Sequence, residues 1–425
     1  MLDITFIRKH PAKVKTACMQ KGVDPETVDR LLKVDDQRRQ LISDIQQLRE
    51  KRNKLTRHAP KKPDKKIIEK GKKLKNLLAR LKPDLRAIDG QYKDLMLQIP
   101  NIPKTDVPIG EKGKVVRTWG KKPKFSFKVK DHIKLGESLN LLDLKRGSKV
   151  AGFRGYFLKN EAVLMHLGLM DWALRKMIKK GFTPLAPPIV DKKKAFLASG
   201  HFPWGKKEAY GLVSGEKTDK VNRYLAGTAE VPLVYYHANE TFSEKDLPIK
   251  YVGFSPCFRR EIGSYGKDTK GIYRIHEFLK IEQVVICKNS NKESERWLEK
   301  LASYSEEMLQ ELKLPYRVML MPTGDMGEPQ AKKYDIEVWM PGRRDWGELM
   351  SDSIMGDFQA RRANIKYKAR GGHKEFVHTL NNTAIATPRI LIAIWENYQQ
   401  KDGSIKVPKV LQKYVGKKVI ERNKE

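Results

Sequence analysis

Residues 251–282, YVGFSPCFRREIGSYGKDTKGIYRIHEFLKIE, set two arginines and two carboxylates of catalytic type inside segments that otherwise read as buried β-strand. Charges in such a place need partners. FSPCFRRE, a Gly- and Lys-rich loop over 263–271, and then YRIHEFLKIEQVVI form a β-hairpin signature. Because side chains alternate along a strand, Arg259 and Glu261 are expected on one face of the first strand, and Phe278 and Glu282 on one face of the second. A desolvated arginine is costly when unpaired, so a polyanionic ligand is a natural occupant. Phosphate matches the guanidinium fork, Glu261 could accept from a base amino group, and Phe278 offers a flat face for stacking. An internal ion pair at a sheet edge would explain any one Arg/Glu pair, but not the whole constellation.

Elements of two kinds are needed to hold these groups. From Leu31 an apolar seam runs through Val34, Leu41, Ile45, Leu48 and Leu55, with Arg38 and Arg52 in the skipped positions. After the break RHAPKKPDKK a second seam runs through Ile67, Gly71, Leu74, Leu78, Leu81, Leu85, Ile88, Tyr92, Leu95 and Ile99. Two antiparallel helices of some 30 residues would make an arm roughly 45 Å long, too thin for a globular core of its own. Pro83 is expected to kink or interrupt the second helix. Residues 49–82 carry 15 Lys or Arg against Glu50, Asp64 and Glu69, so the arm tip is strongly positive and suited to phosphates. A solvated coiled coil that only dimerises or spaces domains would share the pattern.

Residues 99–114, with three prolines and two glycines, read as the linker out of the arm. Residues 155–180 then carry a helical apolar pattern (Phe157, Leu164, Leu167, Trp172, Leu174, Met177), followed by GFTPLAPPIV, a proline-marked edge strand. The remainder alternates short strands and loops and closes on a helix over 387–399. An antiparallel sheet flanked by helices is expected.

Composition narrows the partners. The 425 residues are 40% hydrophobic and carry a formal net charge of +35, which favours a polyanion, with nucleic acid first. An anionic membrane competes, but no apolar run approaches the about 20 residues that span a bilayer, and MLDITFIRKHPAKV lacks the apolar core of a secretory signal. A cytoplasmic location is expected. Cys18, Cys257 and Cys287 show no paired spacing, so reduced thiols are expected. Histidine is sparse and no Cys/His pattern suggests zinc.

FRREIGSYGKDTKGIYRIHEFLKIE resembles the second signature motif of the bacterial-type seryl-tRNA synthetases, a class II aminoacyl-tRNA synthetase family. Three further segments agree. LAGTAEVPL (225–233) resembles the family's serine-recognition segment, residues 335–365 resemble its metal and ATP segment, and residues 381–411 its third motif and chain end. With the arm, the resemblance covers nearly the whole chain. It implies an α+β fold: an N-terminal two-helix coiled-coil arm over 1–104 that binds tRNA, and a class II catalytic domain over 105–425. The helix and edge strand near 155–190 would build a homodimer interface.

By the same resemblance, serine and ATP form seryl-adenylate, and serine then passes to tRNA(Ser) and also to tRNA(Sec). Arg259 would hold the α-phosphate and Arg389 the γ-phosphate of a bent ATP, with Arg260, Glu261, Phe278, Glu348, Leu349, Met350 and Ser351 completing the nucleotide site. Glu348 and Ser351 would take Mg²⁺. Thr228, Ala229, Glu230, Glu282 and Thr383 would line the L-serine pocket. A zinc-dependent branch of the same specificity exists, and this chain does not resemble it. The third motif departs from its usual glycine-rich form: NNTAIATPR keeps Thr383 and Arg389 but places Asn382, Ala384 and Pro388 where backbone freedom is usual, and Arg260 and Met350 replace smaller polar residues. Two other activities share parts of this pattern, a synthetase-like protein loading a small amino acid on a carrier protein and a non-catalytic RNA-binding relative.

Overall fold

The computed structural model describes residues 1–60, 63–213, 222–262 and 270–422. Most of the loop expected over 263–271 therefore lies outside the described residues. The chain divides into two compact units at Pro100/Asn101.

In the first unit, α1 (Ile4–Lys9) and α2 (Pro11–Gln20) lead into two long helices, α3 (Glu26–Arg57) and α4 (Lys65–Gln98). At 1.5 Å per residue these are about 48 and 51 Å long. Their pairing is antiparallel: Arg38 Nε meets Asp89 Oδ1 at 2.6 Å and its guanidinium lies over Tyr92, while Leu55 faces Gly71. The two seams thus close on each other. Where a strict seam would place an apolar residue, Arg38 covers the tyrosine ring and neutralises the aspartate. At the base, Arg8 grips the fully buried Asp35 through two hydrogen bonds of 2.6 and 2.9 Å. Asp64 caps α4 by accepting from the Ile67 amide at 2.7 Å.

α4 runs without a break through Pro83, so of the two outcomes expected there, a kink or an interruption, the interruption does not occur. The proline sits on the exposed side with Ala79, so the Ala79 carbonyl that loses its helical donor can be satisfied by solvent.

The second unit is built on an eight-stranded sheet: β1 (Lys114–Trp119), β2 (Thr183–Leu185), β3 (Ile249–Phe258), β4 (Glu277–Cys287), β5 (Tyr316–Leu320), β6 (Lys332–Met340), β7 (Asp345–Gly356) and β8 (His378–Ala386). The spatial order is β1-β5-β6-β7-β8-β4-β3-β2. Every neighbouring pair is antiparallel except the edge strand β2, which runs parallel to β3. β4 and β8 are buried along nearly their whole length as central strands; β4 is rich in Val and Ile, whereas β8 (HTLNNTAIA) carries buried Asn and Thr side chains.

Helices cover the sheet. α5 (Glu161–Lys179) buries Met165, Leu169, Ala173 and Met177; α7 (Asn291–Glu311), capped by Ser290, buries Trp297, Leu298, Leu301, Met308 and Leu309. Between them comes the short α6 (Glu230–Tyr235), and α8 (Phe358–Ala363) and α9 (Arg389–Tyr398) follow. α6 lies directly on β3, because Gly253 has no side chain: a Cβ there would stand 2.7 Å from the Ala229 Cβ.

Three sequence expectations shift. The helix predicted over 155–180 starts at Glu161, and Phe157 belongs to a short strand, Phe157–Leu158. Asn101 and Lys104 already hydrogen-bond Glu328 and Ala331, so the stretch read as a linker is fastened to the second unit from its start. β3 ends at Phe258, which takes Arg259 and Glu261 off the strand face they were expected to share.

Candidate functional site

The hairpin β3–β4 pairs in continuous register from Ile249↔Ile286 to Phe258↔Glu277, and the site opens at its looped end. Beyond the strand, the Arg259 amide still donates to His276 O at 2.9 Å, but the Arg260 amide turns to Glu208 O and Glu261 adopts φ 52°. Chain reversal, not strand alternation, therefore sets these three side chains. Arg259 and Arg260 are both exposed, so the desolvation argument made from the sequence does not apply to them.

A cavity of about 290 Å³ lies here, at the small end of ligand pockets. It brings together Arg259, Glu261, Phe278, Glu348, Leu349, Ser351, Thr383 and Arg389 of the sequence-nominated residues. The Arg259 guanidinium stands 5.2 Å over the Phe278 ring, with Nε donating to Gly227 O at 3.3 Å. Across the cavity Arg389, at the first position of α9, donates from Nε to Tyr273 O (2.9 Å) and from Nη1 to Glu348 O (3.0 Å), and lies 4.5 Å over the Tyr273 ring. Glu261 is held by Arg274 at 3.3 Å and faces Arg154 at 3.8 Å.

Carboxylate chemistry differs along the cavity. Burial works to raise the Glu348 carboxyl, but Arg389, Lys333, Arg259 and Arg274 outweigh it and hold it below the ordinary range. Glu348 keeps 42% of its side chain exposed. Asp335, opposite Ser351 in the β6–β7 register, is pushed up to about 7 by burial although Lys333 Nζ lies 2.9 Å away.

Under the cavity floor is a buried polar cluster. Phe278, Lys280 and Glu282 project to one face of β4, as the alternation required for Phe278 and Glu282. Lys280 Nζ stands 2.7 Å from Glu282 Oε2 and donates to Thr228 Oγ1 at 2.7 Å; Thr383 Oγ1 donates to the same Glu282 oxygen at 3.2 Å. Glu230, the first residue of α6, is also buried, and its Oε1 accepts from Gln359 at 2.6 Å. Burial raises both the Glu282 and Glu230 carboxyls, with Lys280 opposing each shift.

Not every nominated residue lines the cavity: Thr228, Glu230 and Glu282 belong to the buried cluster beneath it. Ala229 packs with Leu233, Val234 and Val284; Met350 is buried in the main core; Arg260 points away and donates to Lys207 O at 3.3 Å. Asn382 lies fully buried, donating to Gln283, Leu301 O and Ser305 at 2.7, 3.1 and 2.8 Å, while Pro388 lines the cavity beside Arg389.

Sequence reasoning missed Lys280, Lys333, Tyr273, Arg274 and Gln330, all of which line the cavity. Lys280 could have been found: it is a lysine at the centre of a Val/Ile-rich strand, where a buried cation requires partners.

Residues 1–103 match the family model "Seryl-tRNA synthetase N-terminal domain", and residues 213–398 match "tRNA synthetase class II core domain (G, H, P, S and T)". A serine–tRNA ligase of Symbiobacterium thermophilum is 41% identical over 99% of this chain and 100% of its own length. Among solved structures, a Pyrococcus horikoshii seryl-tRNA synthetase complexed with ATP superposes with a TM-score of 0.91 at 38% identity, covering 100% of both chains. A cytoplasmic serine–tRNA ligase of Naegleria fowleri in complex with AMP gives 0.87 at 31% identity, covering 100% of this chain and 99% of the other.

Proposed function

The chain belongs to the seryl-tRNA synthetase family, and from that membership we propose that it activates L-serine with ATP and transfers it to tRNA(Ser). The observation that carries the site assignment is the pair of guanidiniums, Arg259 and Arg389, in one cavity lined also by Lys280 and Thr383, the two groups that bind the buried Glu282 beneath it. Cations at the mouth suit phosphates, and carboxylates beneath suit an ammonium.

Activation needs no general base. The serine carboxylate is ionised at neutral pH, so it attacks the α-phosphorus directly, pyrophosphate leaves, and seryl-adenylate remains. The protein's part is in-line positioning and charge neutralisation. Arg259 takes the α-phosphate and Arg389 the γ-phosphate, with Phe278 under the adenine and Glu261 near its amino group. Arg260, Leu349 and Met350 flank these groups in sequence; Arg260 and Met350 act through backbone placement, since their side chains point elsewhere.

Mg²⁺ fits the donor set. Glu348, held below the ordinary carboxyl range by its cationic neighbours, and the Ser351 hydroxyl are two hard oxygen donors on the same cavity that would hold the ion. Bound there it would offset negative charge on the phosphates.

Serine is distinguished by its polar groups. The ammonium meets Glu230 and Glu282, and the hydroxyl meets the Glu282–Thr383 edge, with Thr228 and Ala229 shaping the wall. A buried polar site left unpaired by alanine discriminates by about 10⁴ to 10⁵. In the second step the terminal adenosine hydroxyl of the tRNA attacks the adenylate carbonyl and AMP leaves. The arm of the 1–104 region, with its positive tip, holds the tRNA, including tRNA(Sec), while the 105–425 region carries the chemistry.

The enzyme works as a cytoplasmic homodimer. Phe153, Phe157, Val163, Leu164 and Leu167 form an exposed apolar group at and before the start of α5, a surface that a second copy would cover. No described helix is long and apolar enough to cross a membrane. Charging of tRNA(Ser) with labelled serine by the purified chain tests the proposal; adenylate formation without charging would contradict the transfer step.

A further inference from the structure

We propose that Gln359, in α8, is a positioning residue for the substrate amino acid: its amide fixes one oxygen of Glu230 and leaves the other for the serine ammonium. This rests on the reading that the Thr228–Glu230–Glu282–Thr383 cluster receives serine.

Gln359 is fully buried. Its Nε2 donates to the Ser199 carbonyl at 2.8 Å and to Glu230 Oε1 at 2.6 Å, and its Oε1 accepts from Thr379 Oγ1 at 2.6 Å. The Ser199 carbonyl can only accept, which fixes which end of the amide is nitrogen. The amide therefore donates to Glu230 whatever the carboxyl's charge, and Thr379 locks the opposite end. α8 itself is fastened to the end of the helix Lys193–Ser199 and the turn after it, because Arg362 Nη1 donates to Leu197 O and Phe202 O at 3.0 and 2.9 Å.

The result is a matched pair of half-occupied carboxylates. Glu230 has Oε1 committed to Gln359, and Glu282 has Oε2 committed to Lys280 and Thr383. Among the described residues, no side chain donates a hydrogen bond to Glu230 Oε2, whose neighbour His201 Nε2 stands 3.9 Å away on a ring whose pKa burial pushes down to about 4, or to Glu282 Oε1. An ammonium has three donors in a compact tetrahedral head, and two carboxylate oxygens held in place match two of them. Without Gln359 the Glu230 carboxylate could rotate toward Lys280 and Arg259, the cations that already act on it, and the ammonium would lose a prepared acceptor.

The test uses the full chain and measures amino-acid-dependent exchange of pyrophosphate into ATP. Gln359→Met keeps the volume and removes the donor; the expected result is a serine KM raised about tenfold or more with the ATP KM changed less than about twofold. Thr379→Val, which frees the far end of the amide, is expected to shift serine KM in the same direction by less, and Thr379→Ser to recover part of that loss. Glu230→Gln serves as the reference. If it raises serine KM while folded Gln359→Met does not, the positioning role is overturned and the pocket assignment stands. If Glu230→Gln itself leaves serine KM unchanged, the pocket assignment fails. Should Gln359→Met not fold, an unchanged serine KM in Thr379→Val overturns the proposal.

Discussion

The ammonium of Lys280 stands 2.7 Å from the Glu282 carboxylate, both fully buried in the sheet, and spends a second donor on Thr228. A buried pair of this kind is costly to break and is tied to its surroundings. Lys280→Met is expected to destabilise the protein by about 3–5 kcal/mol, and the double variant Lys280→Met with Glu282→Gln by less than the sum of the two single changes, with a coupling of about 1–3 kcal/mol. Urea unfolding of the three variants measures this; additive losses would mean the two groups do not act as a pair.

The raised carboxyls of Glu230 and Glu282 give the enzyme an acid limb. Burial lifts both above the ordinary glutamate value of 4.5, so as pH falls they take up protons earlier than an exposed glutamate would. In the proposed pocket, a protonated carboxyl would no longer offset the serine ammonium. Lys280, Arg259 and His201 face these groups and do not reverse the direction of the shift. The kcat/KM for serine is expected to fall with acid at a pH clearly above 4.5, while the ATP KM changes less. A limb at or below 4.5 would place the ammonium-binding groups in solvent.

Arg389 binds Tyr273 O and Glu348 O through two different guanidinium nitrogens while stacking on Tyr273. Lysine cannot reproduce that fork. Arg389→Lys is expected to lower the serine-dependent exchange rate by about 10² to 10³, as does removal of a single transition-state donor, and Arg259→Ala likewise. Near-normal exchange in either variant would remove its phosphate role.

How much of this was legible beforehand follows from the range of each signal. Period-two alternation put Phe278 and Glu282 on one face of β4, because that signal needs only a strand. The same rule misplaced Arg259 and Glu261, since nothing in FRRE marks the strand's end at Phe258 or the positive φ of Glu261. Heptad spacing gave the arm, including Arg38 in the seam, but not that α4 continues unbroken through Pro83, which depends on which side of the helix faces solvent. The family motifs and the nucleotide-binding character were readable because they are contiguous. Gln359 was not, because its three partners come from the helix end at Ser199, from α6 and from β8. Asn382, a departure in the third motif, carries no threat to the pocket wall: it is turned into the core toward Ser305.

Lys51, Lys54, Lys70 and Lys73 are exposed near the tip of the arm. Replacing all four with glutamate is expected to leave serine-dependent exchange unchanged, to raise the KM for tRNA, and to flatten the dependence of tRNA affinity on salt. Charging kinetics and binding at several salt concentrations read both effects. An unchanged salt slope would mean the tip does not contact phosphate.

The most direct test of the central claim is pyrophosphate exchange into ATP by the purified chain with serine, threonine, alanine and glycine measured side by side. The expected result is exchange with serine that exceeds alanine by about 10⁴ or more in kcat/KM, because alanine brings no hydroxyl to the polar Glu282–Thr383 edge. Comparable exchange with alanine or glycine, or none with serine, would contradict it.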